Sequence, residues 1–130
     1  MSESDNILVD EIVESVHHWS KLVSSSLCGE TESDTWSNNP DSLNQLRAIL
    51  KAKALREDVE NVLRDALSGL AHSMLVTLDG GTKMADKIKV RLADQNGHYF
   101  CSYLHEIFAD RMVKSIYDQK RKGQIGRAHV

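Results

Sequence analysis

The stretch from Glu57 to Leu78, EDVENVLRDALSGLAHSMLVTL, decides how this chain folds. Val59, Val62, Leu63, Ala66, Leu67, Leu70, Ala71, Met74, Leu75 and Leu78 recur at three- and four-residue steps, the period of an α-helix. Early acids, Glu57, Asp58 and Glu60, suit the positive end of the helix dipole. From Ala66 onward apolar residues spread over several sides, so this helix is expected to be the central core element, over about 57–78. Asp79-Gly80-Gly81-Thr82 then ends it, because glycine admits the positive φ of a helix stop.

Toward the N-terminus, Leu43, Leu46, Ile49 and Leu50 form a shorter apolar face behind Asn39-Pro40-Asp41. There Asn39 would cap the helix, and Pro40 takes the first helical position, where a missing N–H costs nothing. A bend near Ala54–Glu57 separates it from the long helix. Residues 29–39 are polar and read as a loop carrying one tryptophan, Trp36, expected to fold over the core or meet a partner. Residues 5–28 read as the first helix, with Val9, Ile12, Val13, Val16, Trp19, Val23 and Leu27 on one face. Ser4 or Asp5 would cap its start, and Gly29 would end it.

Toward the C-terminus, Ile88, Val90 and Leu92 alternate with Lys89 and Arg91, the period of a half-buried strand. Asp94-Gln95-Asn96-Gly97 is a turn, and a return strand would follow over 98–102. Leu104, Ile107, Phe108, Met112 and Ile116 mark a last helix, stopped by Gly123, with 123–130 a flexible tail. The expected fold is therefore α+β and mainly α. It has a helical core of about four helices and one antiparallel β-hairpin before the C-terminal helix, in a single domain over 1–130.

Composition narrows the class. With 41% hydrophobic and 27% charged residues the chain is globular, and with only 5% aromatics its core must rest on aliphatic side chains. No apolar run is long enough to span a membrane, and the acidic start lacks the features of a signal peptide. The expected setting is the cytoplasm, with Cys28 and Cys101 as free thiols. Residues 1–65 carry 13 acids and 6 bases, residues 66–130 carry 6 and 10, so the halves are opposite in sign.

The segment Gly69-Leu-Ala-His-Ser-Met-Leu-Val-Thr-Leu-Asp-Gly-Gly-Thr82, with Leu104-His-Glu-Ile-Phe108 beyond the hairpin, resembles small bacterial proteins of unknown function carried on mobile elements, the integron gene-cassette products. The resemblance covers about 60–112 and implies no transferable activity. It directs attention to His72, Ser73, Asp79, His105 and Glu106.

Neutral imidazole can act as a base or a ligand, so His72, Asp79, His105 and Glu106 are the candidate catalytic set. Ser73 lies about 100° from His72 around the helix, which disfavours a direct pair. No zinc signature is present, and the adjacent His17 and His18 splay apart, so no metal and no cofactor are expected. The glycine pair follows a helix C-terminus, whose dipole repels anions, so it reads as a stop rather than a phosphate cradle. Lys120, Arg121 and Lys122, with Arg111 and Lys114 upstream, would meet nucleic-acid phosphate, but a pI near 6.0 and a helix C-terminus account for them more simply. The residues favour a non-catalytic interaction or regulatory module that binds a protein partner or itself, with Trp36, Lys120, Arg121 and Lys122 as candidate contacts. The alternatives are a small hydrolase or metal-binding protein using the histidine set, and a nucleic-acid binder using the basic end.

Overall fold

The computed structural model describes residues 2–32, 34–51 and 53–128. It consists of α1 (Glu3–Leu27), α2 (Pro40–Leu50), α3 (Arg56–Leu78), a 3-10 turn (Lys83–Asp86) and α4 (Leu104–Ala128). The chain divides into two compact units, one of Met1–Glu14 with Ser68–Val130 and the other of Ser15–Leu67. Among the described residues no helix is long and apolar enough to cross a membrane.

The β-hairpin expected over 88–102 is not formed, and the fold is mainly helical rather than α+β. Its turn exists: Gly97 N–H donates to the Asp94 carbonyl, and Asp94 Oδ1 accepts the N–H groups of Asn96 and His98. Only one antiparallel bridge follows, between Ala93 and Tyr99. Across it Phe100 N–H donates to the Leu92 carbonyl and Asp94 N–H to the His98 carbonyl. In that register the Cys101 N–H points away from the 88–92 segment, and it donates to Asp5 Oδ1 at 3.0 Å. An isolated two-stranded ribbon is marginal in water, so the pairing goes no further and leaves irregular chain.

In the first unit Val9, Val13, Leu75, Leu104, Ile107, Phe108 and Met112 form the buried apolar core. The start of α1 is capped by Ser2 and Asp5 together, not by Ser4. Asp5 N–H donates to Ser2 Oγ and Ser2 N–H returns to Asp5 Oδ2, a reciprocal capping box. The helix of 57–78 is where the sequence puts it, but its burial is not. Leu75 is buried, whereas Leu70 and Met74 are each 58% exposed. α4 also runs through Gly123 and Gly126 to Ala128 rather than stopping at Gly123. A mid-helix glycine costs only about 1 kcal/mol, which strong helix formers on either side offset. The last two residues of the expected tail lie outside the described residues.

In the second unit Val16, Cys28 and Leu43 are buried beside three serines of α1, Ser20, Ser24 and Ser26. Ser20 and Ser24 satisfy their hydroxyls on backbone carbonyls of their own helix. α1 ends as expected at Gly29, φ +73, with Glu30 N–H on the Ser25 carbonyl and Gly29 N–H on the Ser26 carbonyl. Pro40 opens α2, but Asn39 makes no side-chain cap. Trp36 folds back: its indole N–H donates to Ser26 Oγ at 3.0 Å, and Arg47 donates to the same hydroxyl at 2.8 Å.

Candidate functional site

The first unit brings together three of the four candidate residues. Asp79 lies just past the end of α3. Gly80, at φ +83, and Gly81 close that end with N–H bonds to the Thr77 and Val76 carbonyls. The Asp79 carboxylate beside this turn is 3% exposed. Its Oδ2 accepts the backbone N–H of His105 at 2.9 Å and lies 2.6 Å from His105 Nδ1. His105 is the second residue of α4, so Asp79 caps that helix across 26 positions of sequence and favours its positive end.

The His72 ring meets the His105 ring edge to face, with centroids 5.6 Å apart at 83°. Glu106 does not join them; it is exposed, and its own N–H donates to the Tyr103 carbonyl. Ser73 is exposed too, and its carbonyl accepts the Thr77 hydroxyl. Among the described residues no hydroxyl or thiol is hydrogen-bonded to either imidazole. No group of three or more His, Cys, Asp or Glu that could hold a metal ion occurs among them either. An acid–imidazole pair without an adjacent nucleophile can orient a ring and anchor a helix, but it lacks the partner that acyl transfer needs.

The sequence reading missed a second buried carboxylate, Asp5, which is 2% exposed. Burial pushes its carboxyl up, but the N–H groups of Ser2 and Cys101 outweigh this and hold it below the ordinary aspartate range. The Ser-x-x-Asp pattern of residues 2–5 was the available signal. Ser4 adds a hydroxyl bond to Asp94 Oδ2 at 2.8 Å, so two consecutive residues of α1 tie the 94–101 loop down. Arg111 of α4 pairs with Asp10 of α1.

Asp79 also borders a cavity of ≈ 710 Å³ walled by the 89–92 and 99–104 segments, including Lys89, Arg91 and Tyr99. Arg91 lies over the Tyr99 ring, 3.8 Å from its centroid. Cys101, on the same wall, has its thiol pushed up by burial and held there by the charges of Asp5 and Asp79, which suppresses thiolate chemistry.

In the second unit burial and then the Arg64 charge push the His17 imidazole down, against the pull of Glu60. His18 instead meets Trp19 edge to face. The basic residues Lys120, Arg121 and Lys122 are exposed on α4.

No protein-family model matches the chain, and no curated protein or solved structure is significantly similar to it.

Proposed function

We propose that the chain is a non-catalytic, cytoplasmic interaction module of the bacterial cassette-borne kind, and that it pairs with a second copy of itself through the first unit. One observation carries this reading. Val113 and Tyr117, four residues apart on α4, are 70% and 64% exposed, so an apolar row faces water. The exposed charges on that stretch of α4 are net positive, Lys114, Lys120, Arg121 and Lys122 against Asp110 and Asp118. On α1 of the same unit Ile7 is 63% exposed near the exposed acids Glu3 and Glu14, and near Asp10, which pairs with Arg111. An apolar row with a net cationic surround and an apolar side chain with an anionic one suit a two-fold pairing in which each meets its counterpart on the other copy.

Size-exclusion chromatography with light scattering over a range of protein concentrations tests the proposal. The expected result is a dimer mass that Val113→Asp with Tyr117→Asp converts to a monomer, and that Lys114→Glu weakens. A monomer at every concentration overturns the reading. The basic row also separates this function from nucleic-acid binding. A short duplex retained at low salt and released steeply as salt rises, by a chain that stays monomeric, would replace the dimer with that alternative.

A further inference from the structure

We propose that the cavity of the first unit is a binding site for a small aromatic carboxylate. Its ≈ 710 Å³ falls within the several-hundred-Å³ range typical of small-molecule pockets. Leu92, Phe100 and Leu104 give it apolar wall, suited to a flat ring.

The charge of the wall selects the sign of the ligand. Lys89 and Arg91 both line it, and neither takes part in an ion pair among the described residues. The acid on the wall, Asp79, already has its Oδ2 engaged by two donors from His105. The cavity wall therefore carries two cations against one carboxylate, a net positive charge that a carboxylate complements and an amine does not.

Geometry selects the carboxylate further. The Arg91 guanidinium carbon lies 3.8 Å from the Tyr99 ring centroid, and a planar fork restrained by such a contact loses less freedom when it takes two carboxylate oxygens. Lys89, two residues earlier on the same segment, adds a second charge on the same wall.

The test is an amide-resolved NMR titration of the full chain with naphthoate and, in parallel, with its neutral isostere naphthamide. Naphthoate should shift amides of 89–92 and 99–104 saturably, and naphthamide should bind at least about tenfold more weakly. Arg91→Gln should weaken naphthoate by about tenfold while leaving naphthamide unchanged. Lys89→Gln, at an exposed residue without an ion pair, provides the same comparison should Arg91→Gln disturb the fold. The proposal is overturned by equal affinity for the two probes, by shifts centred on Val113 and Tyr117 instead of the cavity, or by no saturable shift at all. A dimer or a monomer in the preceding experiment leaves these outcomes unaffected.

Discussion

Asp79 carries two hydrogen bonds on one oxygen, and both go to the same residue of another helix. With the carboxylate ionised, the proton between it and the ring belongs to His105 Nδ1, which leaves Nε2 as the acceptor of the neutral imidazole. Long-range proton–nitrogen NMR at neutral pH should therefore show the Nδ1–H tautomer at His105; the opposite tautomer would rule out this orientation. Asp79→Ala removes a nearly buried charged acceptor and the cap of α4, and should cost about 1–3 kcal/mol in urea unfolding. Glu106→Gln, at an exposed position, should shift stability by less than about 0.5 kcal/mol. The sequence singled out Asp79 and His105 for their chemistry, yet what joins them is a helix end needing an acceptor. Such a contact spans two elements and leaves no local spacing to read. Asp5 makes a parallel case with a pH signature. Its folded-state pKa is depressed, so its contribution to stability is complete above the ordinary aspartate pKa of about 3.9 and is lost as pH falls through the folded value. Asp5→Asn should accordingly flatten the acid limb of the stability curve, measured by thermal unfolding between neutral pH and about pH 3. An unchanged limb would mean that the capping box carries no net charge effect.

At the scale of the element, α3 and the turn that ends it hold three glycines in three different situations. Gly69 lies mid-helix with open space where a Cβ would stand, so Gly69→Ala should stabilise the chain by about 0.5–1 kcal/mol. Gly80 has φ +83, where an L side chain is strained, so Gly80→Ala should cost about 1–2 kcal/mol. A Cβ at Gly81 would stand 2.8 Å from Val76 Cγ1 and 3.3 Å from the Val76 carbonyl oxygen, and the backbone oxygen has little freedom to retreat. Gly81→Ala should cost about 1–3 kcal/mol. Urea midpoints of the three variants check the series, and a destabilised Gly69→Ala would contradict the open space described at that site. The same helix shows what periodicity conveys. Its span and its stop were legible, because a 3.6-residue repeat and a glycine pair are local signals. Its burial was not, because Val62, Leu70 and Met74 satisfy the repeat while facing water. The hairpin failed for the complementary reason: strand alternation and a turn were present, but a two-stranded ribbon is marginal on its own and the pairing ends beyond the Phe100 N–H to Leu92 carbonyl bond.

For the whole molecule the balance between covered and uncovered apolar side chains matters most. In the first unit Val9, Val13, Leu75, Leu104, Ile107, Phe108 and Met112 are buried, while Ile7, Leu70, Met74, Ile88, Val90, Tyr99, Tyr103, Val113 and Tyr117 are exposed. Burying even two or three of these on association returns about 1.5–3 kcal/mol for each large side chain, before the cost of ordering two copies. If a dimer forms in this way, its association free energy adds to folding stability by mass action, and thermal stability depends on concentration. A hundredfold rise in concentration then corresponds to about 2.7 kcal/mol per dimer. Spread over two chains of 130 residues, at roughly 2 cal/mol/K of unfolding entropy per residue, this raises Tm by about 5 °C. The doubly substituted chain, with Val113→Asp and Tyr117→Asp, should lose that dependence and melt at one temperature throughout. A wild-type Tm that stays constant over the hundredfold range would show that the folded chain gains no stability from self-association, through the uncovered row or any other contact.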